Sequence, residues 1–139
     1  MKLKSLTQDN QGPYSNFDFS PFLLKGGKPG KWLPKVTKLE ICESGWHGCK
    51  NGDIIEYLSE QIFEIETRGK VLTGSNKFAA QQIRFVRKCD GWTEKTARLF
   101  ACDCATHVLK IFEKHYPDDP RPRVYIKTAR RFANGKSTQ

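Results

Sequence analysis

Thr93-Glu-Lys-Thr-Ala-Arg-Leu-Phe-Ala-Cys-Asp-Cys-Ala-Thr-His-Val-Leu-Lys-Ile-Phe-Glu-Lys-His115 runs through Tyr116 into Pro117-Asp-Asp-Pro120. It continues as Arg121-Pro-Arg-Val-Tyr-Ile-Lys-Thr-Ala-Arg-Arg-Phe-Ala-Asn-Gly135. Apolar residues fall at Ala97, Phe100, Ala101, Cys104, Ala105, Val108, Ile111 and Phe112, a spacing that a helix of about six turns gathers into one stripe. Thr93 suits the N-cap, with Glu94 behind it in the first turn. The Pro-Asp-Asp-Pro break stops this helix and starts another: Asp119 caps, and Pro120 takes the first helical position, where a missing N–H costs nothing. The second helix is expected to bury Ile126, Ala129 and Phe132 or Ala133, and to stop at Asn134-Gly135, a left-handed terminator. A short link makes the pair antiparallel, and the alanines permit close approach.

Upstream of Thr93 the period drops to two. Residues 61–67 put Phe63, Ile65 and Thr67 on one face and Glu64 and Glu66 on the other, as a half-buried antiparallel strand does. A turn at Arg68-Gly69-Lys70 leads to a strand at 71–73. After the Gly74-Ser75-Asn76 turn, residues 82–88 alternate again. Residues 36–42 are read as a further strand, and Asn51 as the cap of a short helix ending near Ser59. Residues 1–31 are irregular, with Phe17, Phe19, Phe22 and Leu23 packing on the core. Their Lys25-Gly-Gly-Lys-Pro-Gly-Lys31 is an exposed turn and not a phosphate loop, because the glycine spacing is wrong and no helix follows. The expected architecture is α+β in a single domain, 1–139. An irregular segment (1–31) precedes a small antiparallel sheet with one short helix (32–90), and a C-terminal antiparallel helical hairpin (91–135) packs on it.

A chain of 139 residues, 37% hydrophobic and 28% charged, is of ordinary globular composition. No apolar run approaches the roughly 18 residues of a membrane span, and the N-terminus lacks an apolar signal region, so a cytoplasmic protein is expected, in the host cell's cytoplasm if phage-encoded. Five cysteines at irregular spacing suit free thiols rather than a disulfide framework. The net charge of +9 favours acidic proteins, nucleic acid or other anionic ligands. It is unevenly distributed. Residues 53–66 carry five acids and no base, whereas Pro120 onward carries six bases and no acid.

Two blocks carry a resemblance. Trp92 to Leu109 together with Asp119-Pro-Arg-Pro-Arg to Gly135 is similar to the helical hairpin of small immunity-type proteins found in phages, prophages and bacterial genomes. Leu39-Glu-Ile-Cys-Glu-Ser-Gly-Trp-His47 and Asn76-Lys-Phe-Ala-Ala-Gln-Gln-Ile-Arg84 resemble a companion β-rich domain of uncharacterised phage proteins. The resemblance covers about residues 39–135. It implies the hairpin architecture and a mobile-element origin, and it brings no catalytic residues with it.

The densest candidate site is the arginine face of the second helix. Arg123, Lys127 and Arg130 recur at helical spacing with Arg131 beside them, and Arg121 sits at the helix start. Arginine's planar fork fits carboxylate or phosphate. The bland alternative is that these arginines pair with Asp103, Asp118, Asp119 or the acidic segment and brace the hairpin, Arg121 and Arg123 above all. Arg84, Arg87, Lys88, Lys95 and Arg98 around Trp92 form a second basic group, able to contact single-stranded nucleic acid, although Trp92 equally suits a core anchor. Cys42, His47 and Cys49, with Cys104 and His107 one helical turn apart, are donor types for zinc, but their spacing is not that of a zinc knuckle and free thiols are the default. No cofactor is otherwise expected. A Cys49–His107 nucleophile pair lacks any sign of a lowered thiol pKa, so no catalytic residues are assigned. These features suggest a non-enzymatic phage or mobile-element protein that inhibits a host process, such as defence, by binding a host protein or anionic ligand through the basic helix. The alternatives are a nucleic-acid-binding accessory protein, or a nucleotide-binding sponge or enzyme. Homo-oligomerisation stays open, and no membrane partner is expected.

Overall fold

A computed structural model describes residues 1–136. The chain divides into two compact units, 1–90 and 91–139. The α+β class and the order of sheet before hairpin are as the sequence indicates.

In the first unit, Lys2–Leu6 (β1), Trp46–Lys50 (β2), Gln61–Thr73 (β3) and Phe78–Lys88 (β4) pair antiparallel in the order β1-β2-β4-β3. Because β1 also pairs with β3, from Leu3 opposite Glu64 to Leu6 opposite Gln61, the sheet closes into a barrel. Closure removes the open edges on which a small sheet would otherwise self-associate. The interior is filled by Leu6, Phe19, Leu33, Phe63, Ile65, Phe78, Ile83 and Phe85, all nearly without solvent contact. Phe85 lies edge-on to both Phe19 and Phe63, with ring centroids 5.7 and 5.3 Å apart.

Several local expectations are corrected here. Residues 36–42 do not form a strand. Residues 30–36 instead run beside β4 with hydrogen bonds from Gly30 to Phe85, Leu33 to Ile83 and Val36 to Gln81. The chain then turns at Cys42, which takes a left-handed φ of 71°. The strand comes later, at Trp46–Lys50, hidden by the glycines around it. Gly48 is required there, since a Cβ would come within 2.8 Å of Ile65 and Phe78 and 2.9 Å of the Leu3 carbonyl. Lys2–Leu6 is a strand inside the segment read as irregular. The expected turn at Arg68-Gly69-Lys70 is a bulge in one long strand, where Gly69 has φ +79° and the Gln81 side chain accepts from the Lys70 N–H. The helix after Asn51 is a 3-10 segment, Asn51–Tyr57, with Lys50 at its cap. The turn at 74–76 forms as expected, closed by Gly74 N–H to the Lys77 carbonyl. Phe19 is buried, Phe22 and Leu23 pack against the core, and Phe17 stays partly exposed.

The second unit is the hairpin of Glu94–His115 (α1) and Arg121–Ala133 (α2). Thr93 caps α1 through a reciprocal pair: its hydroxyl accepts from Thr96 N–H, and the Thr96 hydroxyl accepts from Thr93 N–H. At the second helix the cap is Pro120, one residue later than expected, and Asp119 accepts from the Arg121 N–H. Gly135 terminates it with φ +68°. The buried line of α1 is Cys102 and Leu109, with Ala105 and Phe112 half-buried. Ala101, Cys104, Val108 and Ile111 face solvent, and so does Ala129 of α2. The apolar sector of α1 is wider than one partner helix covers, so its period alone did not say which edge is inward. Cys102, whose thiol donates to the Ile126 carbonyl at 3.9 Å, marks that edge.

Candidate functional site

The arginines of the hairpin divide by what surrounds them. Arg121 makes a two-pronged contact with Asp119, at 2.9 and 2.7 Å, two residues back in the chain. That contact holds the Asp119 carboxyl down at about 2, below its ordinary 3.8, through the hydrogen bonds it accepts from Arg121. Arg123 grips Glu113 of α1 at 2.7 Å through both prongs, tying the second helix to the first. Arg130 reaches Asp103 at 2.8 Å and Thr106 at 3.4 Å. Arg98 pairs with Glu94 at 2.7 Å and stacks over Phe132, 4.9 Å from its ring centroid. These contacts satisfy guanidinium donors inside the hairpin.

Lys127 and Arg131 are different. Both are exposed, and among the described residues neither forms an ion pair. Arg131 makes only a long contact with the Lys136 carbonyl, 3.5 Å. They stand one turn apart, with Val124 one turn before Lys127, whereas Tyr125, two positions from Lys127, projects from the flank of the helix. Val124 and Tyr125 are 54% and 69% exposed. The outward side of α2 therefore combines two cations with a branched aliphatic side chain, and Tyr125 is exposed on its flank. Arg130, expected to be available beside them, is engaged with Asp103. The exposed Val124 and Tyr125 were missed in the sequence, although no inward-facing partner position claims either of them.

In the barrel unit, Arg84 pairs with Glu66 at 2.6 Å and stacks on Trp32, and Arg87 pairs with Glu64 at 2.9 Å. These are cross-strand neighbours on β3 and β4. Glu64 and Glu66 of the 53–66 segment thus neutralise bases of the next strand.

Cys42, His47 and Cys49 converge on one side of the barrel and line a cleft of about 600 Å³. They are not arranged as ligands. The His47 Nε2 accepts the Cys42 backbone N–H at 2.9 Å, and burial with the nearby Lys4 charge holds the imidazole below its ordinary pKa. The Cys49 thiol is buried near the Leu3 carbonyl, and desolvation pushes it up to about 11. Among the described residues, no three His, Cys, Asp or Glu side chains are grouped to hold a metal ion, the Cys104–His107 pair included. The cleft also contains Lys4, unforeseen because β1 was not read as a strand. Its Nζ donates to the His47 carbonyl at 2.8 Å and lies 5.0 Å from the Phe19 ring centroid. Burial lowers it to about 8 from 10.5.

Comparison with known proteins places one segment. Residues 88–139 match the family model of an Imm-5 like putative immunity protein. No curated protein and no solved structure matches the chain. No helix among the described residues is long and apolar enough to cross a membrane.

Proposed function

We propose that the chain is a non-enzymatic, immunity-type protein of phage or mobile-element origin, which inhibits a host process such as defence by binding a protein partner. The outward face of α2 is its contact surface. What carries the reading is a coincidence: the segment that matches the immunity family, 88–139, presents Val124 to solvent beside the cations Lys127 and Arg131, with Tyr125 exposed on the flank of the same helix. Exposed tyrosine and arginine are the residue types that dominate binding energy at interfaces. Their charge selects a partner with an acidic surface, chiefly through association rate and specificity.

Double charge reversal, Lys127→Glu with Arg131→Glu, tests the assignment. The variant keeps its helical circular dichroism, because neither side chain joins the hairpin's ion pairs. It loses roughly tenfold or more in affinity for the partner that the wild-type chain captures. Unchanged capture by a folded variant overturns the proposal.

The rival reading, nucleic-acid binding, draws on the net charge. Engagement of Arg84, Arg87 and Arg98 with Glu66, Glu64 and Glu94 weighs against it. It predicts a log affinity that falls steeply with log salt, which filter binding at two salt concentrations measures. A nucleotide sponge or enzyme would need a pocket built from the hairpin arginines, and the cleft on the barrel is lined by none.

A further inference from the structure

The cleft on the barrel is not used by the hairpin's proposed role. At about 600 Å³ it has the size of a small-molecule site. Its composition is selective. Phe17 and Trp46 form an edge-to-face pair with centroids 4.9 Å apart, and Phe17 meets Phe19 at 4.8 Å. Tyr14 also lines the cleft and is largely exposed, and Phe17 keeps over a third of its surface free. An aromatic cluster left open to a concave surface favours a flat apolar guest.

Two ammonium groups also line this cleft. An ammonium has three donors, and Lys4 spends one on the His47 carbonyl. Lys77 is hydrogen-bonded to the Cys42 thiol, which raises its pKa. The Glu43 carboxylate is the one acid among the lining residues. His47 accepts the Cys42 N–H through its Nε2 and supports the loop. The cleft thus offers cations and an aromatic wall, without a nucleophile–base pair or a metal site.

We propose that this cleft binds a small aromatic molecule carrying one anionic group, the ring lying against Phe17 and Trp46 and the anion meeting Lys4 and Lys77. A charge-assisted hydrogen bond inside a partly desolvated cleft discriminates strongly between an anion and its neutral analogue. The site stands independently of the hairpin reading.

The test is a titration followed by backbone amide and indole NMR signals, with three probes: 4-phenylbutyrate, phenyl phosphate and the neutral 4-phenylbutan-1-ol. The expected result is saturable shifts confined to Lys4, Trp46, His47 and their neighbours. At least one anion should bind roughly tenfold or more tightly than the alcohol. The tighter of carboxylate and phosphate identifies the anion class. Lys4→Met reduces anion affinity to that of the alcohol and leaves alcohol binding in place. Should Lys4→Met fail to fold, Lys77→Met at the half-buried rim carries the same expectation with a several-fold loss. Equal binding of anions and alcohol, shifts centred elsewhere, or no binding at millimolar probe overturns the proposal. Lys127→Glu with Arg131→Glu leaves this titration unchanged, so failure here and failure of the hairpin reading are separate results.

Discussion

At the scale of single residues, what decides availability is where the nearest carboxylate lies. Arg123 and Arg130 carry the same guanidinium group as Arg131, but Glu113 and Asp103 of the neighbouring helix stand opposite them. Arg123→Gln is therefore expected to loosen the hairpin by at most about 1 kcal/mol, the usual worth of an exposed pair, and to leave partner affinity unchanged. Thermal unfolding beside a binding titration separates these effects. Lys127→Glu and Arg131→Glu should do the reverse. The sequence displayed the basic run plainly. It could not display which arginines are occupied, because their acids come from another helix rather than from neighbouring positions. Lys4 and Cys49 supply a pH signature. Lys4 titrates near 8 when folded and 10.5 when unfolded, so between those values the unfolded chain binds more protons and stability rises with pH. Cys49 opposes this above its ordinary 9, where the unfolded thiol releases a proton that the buried one keeps until about 11. Urea midpoints should therefore climb from pH 8 to 9 and flatten beyond. Lys4→Met removes the climb.

At the scale of elements, structure is legible in the sequence where caps and period agree and is hidden where tertiary pairing overrides them. Thr93 was legible as a cap, and its reciprocal hydroxyl contacts with Thr96 predict that Thr93→Ala costs the hairpin about 1 kcal/mol in thermal unfolding. The break at 117–120 and the terminator at Gly135 were also legible, since proline and glycine act through their own backbones. Trp46–Lys50 was not. It looks like a turn because Gly45 ends the preceding turn with φ +112°, while Gly48, inside the strand, serves close packing against Ile65 and Phe78 rather than chain reversal. The same limit hid Lys2–Leu6, whose five residues become a strand by pairing with β2 and β3. Barrel closure makes the interior unforgiving. Phe85→Ala should cost the barrel about 3–5 kcal/mol in denaturant unfolding, the range for removing a fully buried phenylalanine.

At the scale of the whole molecule, the net charge of +9 first suggested a basic surface for an anionic partner. Acids of β3 and α1 pair with Arg84, Arg87, Arg98, Arg123 and Arg130, and the proposed contact strip on α2 lies among the bases left without an ion pair. The cleft lay beyond the sequence because it is assembled from β1, the loop near Tyr14, the turn at Cys42 and β2, segments with no shared pattern. The most direct measurement of the central claim replaces Tyr125 with the photo-crosslinker benzoyl-phenylalanine in cells that carry the protein. The account predicts one discrete covalent adduct with a protein, absent when Lys127→Glu and Arg131→Glu are added to the folded chain. An adduct that persists undiminished through the charge reversal, or no adduct at position 125 while one forms from the barrel surface, would contradict it.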